Sequence, residues 1–243
     1  MILSSKDEAF EDHIQSAIDT WSAIKSRIMP GIGRLFQNSI RLNELDELIR
    51  TMIAFHDIGK LTKKWQDEIK KPEPRPPPHS IIGAAYLWKM LSNNEYQNAL
   101  ADFRFASSFA VNIHHIDRGI VGENTERPHV QLVLYRLVDD RGFIRWYEEA
   151  DSAISNVCHV LKRDTCLPLS NLVLDDVELM AEDLRKWSRG AGILERHRRR
   201  LLASSLHHIL KLCDLRAARN RGDLKNREIS SFVIKFVEGG LLP

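Results

Sequence analysis

Apolar residues return at three- and four-residue steps along most of this chain, a period that admits helices and little else. Phe10, Ile14, Ala17, Ile18, Trp21 and Ile24 mark one amphipathic helix. A second carries Leu45, Leu48, Ile49, Met52 and Ile53 behind Asn43 as its cap, runs into His56-Asp57 and stops near Gly59. Five of the nine prolines fall between Pro72 and Pro78, which predicts a stiff non-helical loop. A helix is expected after it, from His79–Ser80 through Leu91, and another over 96–115 that ends at His114-His115. Shorter helical patterns follow around 129–138, 143–161 and 175–188. A long helix over 193–219 is expected to turn Leu201, Leu202, Ser205, Leu206, Ile209, Leu212 and Cys213 inward and carries arginines on its polar side. Residues 229–237 read equally well as a strand or a buried helix. The expected fold is all-α, one domain over 1–243, with room for a small C-terminal strand.

Composition narrows the classes further. The chain has 243 residues, 43% hydrophobic and 28% charged, enough for a sizeable core and wrong for a disordered or fibrous protein. No apolar run approaches the roughly 18 residues that a membrane span needs. The start, Met1 to Asp7, is too short and too quickly acidic for a signal peptide, so a cytoplasmic protein without a membrane partner is expected. Cys158, Cys166 and Cys213 are odd in number and form no Cys-x-x-Cys pair, so neither a disulfide frame nor a thiolate zinc site is expected. Charge is uneven: residues 185–227 hold thirteen Lys or Arg against three acids, a net +10 in a chain whose total is +2. Such a segment suits a polyphosphate partner, although a solvated helix face is the commoner explanation.

The ten histidines carry the chemistry. His56-Asp57-Ile58-Gly59-Lys60 ends an apolar helix, where imidazole and carboxylate meet a cavity rather than mid-core. His79 and His114-His115 also fall at helix ends, and His13 shares the core-facing side of the first helix. Buried imidazoles need partners, and several that converge with carboxylates most readily share a cation.

The order His13, His56-Asp57-x-Gly59-Lys60, His79, His114-His115, Asp214 resembles the HD superfamily of metal-dependent phosphohydrolases. More narrowly, it is similar to the HD nuclease module of the type I CRISPR effector helicase–nuclease. The resemblance implies an HD-domain helical bundle with one ion on His13, His56, Asp57 and Asp214. It implies a second ion on His79, His114 and His115, with Asp57 bridging both. This nitrogen and oxygen donor set suits Mn, Fe, Co or Ni, and Mg less well. Two ions about 3.5–4 Å apart would bind the scissile phosphate and bring a bridging water toward a neutral pKa for in-line attack. Lys60 would offset charge on a phosphate oxygen. Where this family usually has a small hydroxyl residue three or four places after the closing Asp, Ala217 and Ala218 stand here.

The implied activity is hydrolysis of DNA in CRISPR interference, single strands preferred and RNA a second substrate. No Gly-x-x-x-x-Gly-Lys-Ser/Thr loop occurs, so no nucleotide cofactor is expected, and the helicase and surveillance complex would be separate partners. Arg196, Arg199, Arg200, Arg216, Arg219 and Arg221 are the expected nucleic-acid contacts, because Asp214 sits within the basic segment. The alternatives are an HD phosphohydrolase acting on nucleotides or cyclic nucleotides, and a binding module whose ions only hold helices together. His207 and His208 share this helix with Asp214 but are read as packing or backbone contacts. Trp65, Trp88, Trp146 and Trp187 are read as core rather than as stacking platforms for bases.

Overall fold

A computed structural model of the chain describes residues 1–92, 98–115, 138–163, 166–190 and 192–220. Residues 129–137 of the helix expected around 129–138, the segment 229–237 and Arg221 lie outside the described residues, and Val138 forms a bridge to Ile144. The all-α expectation holds: helices dominate, and the one sheet among the described residues is a small antiparallel hairpin, β1 (Leu3–Ser5) and β2 (Glu8–Ala9). That hairpin stands at the beginning of the chain and has no counterpart in the helical periodicity.

Helix α1 (Phe10–Leu35) begins directly after the hairpin and buries Phe10, His13, Ile14, Ala17, Ile18 and Trp21. It extends past the periodic stretch even though Pro30 lies within it, and ends where Gln37 and Asn38 take positive φ. Helix α2 (Leu42–Phe55) starts one residue before Asn43, so Arg41 rather than Asn43 is its cap residue. Past its end, His56 and Asp57 form a turn into a short 3-10 segment, Ile58–Leu61. Helix α3 (Lys63–Ile69) follows, another element that the apolar spacing does not announce, because only Trp65, Gln66 and Ile69 are buried.

After the proline loop, helix α4 (Ser80–Ser92) is apolar on nearly every side and correspondingly central. Helix α5 (Asn98–Asn112) packs along it and ends just before His114. The segment expected to be helical from 143 becomes helix only at α6 (Ala150–Val160). Before that, Trp146 bridges Thr62, and Lys63 N–H donates to the Arg145 carbonyl at 2.8 Å. Helix α7 (Leu174–Arg189) leads to the long α8 (Ile193–Asn220), which packs against α1 and α5. The apolar faces of α1, α2, α4, α5, α6, α7 and α8 meet in one contiguous buried cluster.

The expectation of no disulfide is overturned. Cys158, near the end of α6, is bonded to Cys166 with Cα atoms 6.3 Å apart, while Cys213 is free and buried. The physical reason is local. Lys162 at φ 56° reverses the chain, and Arg163 N–H donates to the Cys158 carbonyl at 2.9 Å, which returns Cys166 to Cys158. Trp65, Trp88 and Trp187 are buried and Trp146 packs on the core, as expected for core residues.

Candidate metal centre

Seven side chains from five places in the chain converge between α1, α4, α5 and α8. His13 comes from the first turn of α1, and Asp214 from α8, which packs on that helix. His56 and Asp57 come from the turn after α2, where the backbone leaves the helix and aims both side chains inward. His79 precedes α4, and its carbonyl accepts from the N–H groups of Ile82 and Gly83. His114 and His115 sit in the turn that closes α5.

Two glycines make this convergence sterically feasible. A Cβ on Gly59 would lie 2.2 Å from the His79 carbonyl oxygen, and one on Gly83 would lie 2.2 Å from that of His56. Main chain therefore presses on main chain at both places, which only glycine allows. Gly59 belongs to the His-Asp-x-Gly-Lys motif. Gly83 gave no signal in the sequence beyond being a glycine inside an apolar helix.

Asp57 divides its carboxylate between two groups. Its Oδ2 lies 3.3 Å from His13 Nε2 and 3.4 Å from His56 Nε2, while Asp214 Oδ1 lies 3.3 Å and 3.8 Å from the same two nitrogens. Its Oδ1 lies 2.9 Å from His79 Nε2 and 3.6 Å from His114 Nε2, and His79 Nε2 is 2.8 Å from His115 Nε2. Within each group, His13-His56-Asp57-Asp214 and Asp57-His79-His114-His115, the donor atoms all lie within 4.8 Å of one another, so each could hold a metal ion.

The ring orientations agree with that chemistry. His56 Nδ1 lies 2.7 Å from the Ile53 carbonyl and His114 Nδ1 lies 2.6 Å from the Val111 carbonyl. A carbonyl oxygen only accepts, so each Nδ1 carries the proton and leaves the Nε2 lone pair facing Asp57. The Nε2 atoms of His13, His56 and His114 are buried without a hydrogen-bond partner. Orphaned buried donors and acceptors of this kind are what a bound cation would satisfy. Four carboxylate and imidazole donors in each group, with no thiolate among them, fit a divalent transition ion.

Electrostatics reinforce the clustering. Burial alone would raise the Asp57 carboxyl, but His56, Lys60, His79 and His114 hold it well below the usual carboxylate range. Asp214 is likewise held down by His13 and His56 against its burial. Burial would lower His13, yet Asp214, Asp57 and Glu8 raise it to about 10. Burial brings His79 down to about 4 despite Asp57 beside it. His115 is lowered by its loss of solvent and then by the His114 and His79 rings.

Lys60 sits at the same centre, buried, with Nζ 2.6 Å from Asp57 Oδ2 and donating at 3.3 Å to Ser4 Oγ. Its ammonium also lies 5.6 Å from the Trp65 ring centroid. Glu8, Ser4 and Gln66 are the contributors that sequence reading missed. They come from a hairpin of five strand residues and a short helix, neither of which carries a periodic signal.

The arginines are placed differently. At about 1.5 Å per residue, Arg200 lies about 21 Å and Arg196 about 27 Å along α8 from Asp214. Arg199 is occupied internally: it donates to the Trp187 carbonyl at 2.5 Å and to Glu195 at 2.9 Å. Arg198 bonds Asp102 and Glu195, tying α8 to α5. Arg216 and Arg219 are exposed, about 200° and 140° around the helix from Asp214. Among the described residues, Arg196, Arg198, Arg199, Arg200 and Arg216 make no ion pair or hydrogen bond with the histidine groups. Lys211 is nearer, donating to the His114 carbonyl at 3.1 Å. His207 is buried and His208 bonds the Ser204 carbonyl at 2.7 Å, both outside the two groups.

No family model matches the chain. Among curated proteins it is similar to the CRISPR-associated endonuclease Cas3-HD of Methanocaldococcus jannaschii, 22% identical over an alignment of 252 residues that covers 96% of this chain and 97% of that protein. The protein of the same name from Thermoproteus tenax is 26% identical over 217 residues, 88% of this chain and 86% of the relative. The one from Pyrococcus furiosus is 25% identical over 112 residues, 44% of this chain and about half of the relative, 46%. Among solved structures, the CRISPR-associated Cas3 HD domain protein of M. jannaschii shares the fold, with a TM-score of 0.65 at 21% identity over 86% of this chain and 98% of that one. The fold is thus an HD-domain helical bundle, and the resemblance read from the motif residues extends along the chain.

Proposed function

We propose that this chain acts as a single-domain, divalent-metal-dependent nuclease of the HD type that hydrolyses DNA phosphodiesters in CRISPR interference. Single strands are the preferred substrate, RNA a second one, and a separate helicase and surveillance complex its cytoplasmic partners. The observation that carries the reading is the placement of Asp57, whose two oxygens face two separate groups of histidines. Similarity to proteins named Cas3-HD over nearly the whole chain supplies the CRISPR context.

His13, His56, Asp57 and Asp214 would hold one ion, and Asp57, His79, His114 and His115 the other. Ions held there would bind the scissile phosphate and bring a water between them toward a neutral pKa. The chain's own residues do the rest. His56 and His114 donate from Nδ1 to backbone carbonyls, which turns their Nε2 atoms toward Asp57. Lys60, fixed by Asp57 and Ser4, keeps a positive charge where negative charge builds on the phosphate. His13, His56, Asp57 and His114 are almost free of solvent, whereas His115 and Asp214 are more open. Substrate would therefore approach over the edge formed by His115 and Asp214.

Incubation of circular single-stranded DNA with the protein and Mn or Ni ions tests the proposal: nicking is expected. Faster turnover of nucleotides or cyclic nucleotides than of polymer would favour the HD phosphohydrolase alternative instead, and no hydrolysis with any divalent ion would overturn both.

A further inference from the structure

The N-terminal hairpin reaches the metal centre at two points. Its first strand is clamped by Gln66 of α3: Leu3 N–H donates to Gln66 Oε1 at 3.0 Å, and Gln66 Nε2 donates to the Leu3 carbonyl at 2.8 Å. The same Nε2 donates to the Lys60 carbonyl at 2.8 Å, so the strand and the His-Asp-x-Gly-Lys turn share one fully buried amide. Held this way, the hairpin brings Ser4 Oγ to 3.3 Å from Lys60 Nζ and Glu8 Oε2 to 3.3 Å from His13 Nδ1.

His13 needs such a partner more than the other ring donors do. His56 and His114 lie just past helix ends and place Nδ1 on the carbonyl three residues earlier. His13 lies inside α1, where the neighbouring carbonyls are taken by the helix's own N–H groups. Its Nδ1 proton therefore has to go to a group from outside the helix. Glu8 offers a carboxylate there, in a place with little solvent and with Asp57 and Asp214 already on the other side of the ring. A third carboxylate beside one imidazole is costly unless it has a task.

We propose that Glu8 is the positioning carboxylate of this half of the centre. It would accept a hydrogen bond from His13 Nδ1–H and so turn the Nε2 lone pair onto the ion shared with His56, Asp57 and Asp214. The proposal rests on the two-ion reading above. It assigns Glu8 to the ion on the His13 side, because the carboxylate lies 3.3 Å from His13 Nδ1.

Titration of the metal-free chain with Mn ions by calorimetry, with cobalt absorption spectra alongside, separates the two ideas. Wild type is expected to take up two ions. Glu8→Gln should weaken one binding step by about 10–100-fold and shift the cobalt bands of that step, leaving the other step unchanged. Glu8→Asp, which keeps the charge, should recover part of the loss. Both steps staying within about two-fold of wild type in Glu8→Gln would overturn the role of Glu8 and leave the two-ion reading intact. A wild type that binds no ion would overturn that reading itself. Should Glu8→Gln fail to fold, Gln66→Ala releases the hairpin without touching the charge. It should weaken the same single step, and two unchanged steps would again overturn the proposal.

Discussion

Asp57 Oδ1 stands 2.9 Å from His79 Nε2, although the two residues are separated by the whole of α3 and the proline loop. The other oxygen of Asp57 faces His13 and His56, so one carboxylate joins two sets of imidazoles that do not otherwise share a donor. Asp57→Asn should therefore reduce bound metal at both positions. His79→Ala and His13→Ala should each remove about one ion per chain, and each should lower cleavage at least about 100-fold, beyond the usual loss for an outer partner. Elemental analysis of dialysed variants checks this, and equal losses in all three would contradict a bridging role for Asp57.

Removing the metal should leave a protein whose stability peaks near neutral pH. His79 and His207, both pulled down to about 4 chiefly by burial, refuse protons that unfolded histidines accept below about 6.5. Between pH 6.5 and 4 the unfolded chain then binds more protons, so stability falls as pH falls. His13 acts in the opposite window. Held up to about 10, it keeps a proton that the unfolded chain has lost, so its contribution disappears as pH rises from 6.5 toward 10. Thermal melting in EDTA across pH 5–9 should give a maximum between these limbs; a melting temperature that rises on going from pH 6.5 to 5 would contradict the burial of His79 and His207.

Gly83 is a backbone requirement of the site. A methyl group there meets the His56 carbonyl, main chain that cannot rotate away, so Gly83→Ala should cost about 1–3 kcal/mol and displace His56. Urea denaturation would show the loss, and metal uptake by the variant should fall with it. Gly31→Ala is the control: nothing lies within 4 Å of a Cβ at that position inside α1, so metal uptake should hold and stability should stay level or rise by up to about 1 kcal/mol.

Arg199 should prove to be a structural residue. It bonds the Trp187 carbonyl and Glu195 across the α7–α8 junction, so Arg199→Ala should lower stability by about 1 kcal/mol. Nucleic-acid affinity, measured by filter binding over a salt series, should keep its slope. A slope reduced by about one would instead mean that Arg199 neutralises a phosphate.

How much of this could be read from the sequence follows from range. The helices were legible because apolar spacing reports a burial face directly, and the seven converging side chains were legible because their order matches a known pattern. The hairpin was not, since Leu3–Ser5 and Glu8–Ala9 owe their conformation to Gln66, some sixty residues away, rather than to local alternation. Gly83 was silent for a similar reason: its role exists only against the His56 carbonyl. The Cys158–Cys166 bond depends on a reversal at Lys162, which no count of cysteines reveals. The placement of the arginines was not legible, because net charge carries no azimuth: Arg216 turns well over 90° from Asp214.

Anomalous scattering from crystals grown with Mn ions addresses the central claim most directly. The account predicts two peaks per chain, one on each side of the Asp57 carboxylate, the first among His13, His56 and Asp214 and the second among His79, His114 and His115. A single peak away from Asp57, or none within reach of these imidazoles, would contradict it.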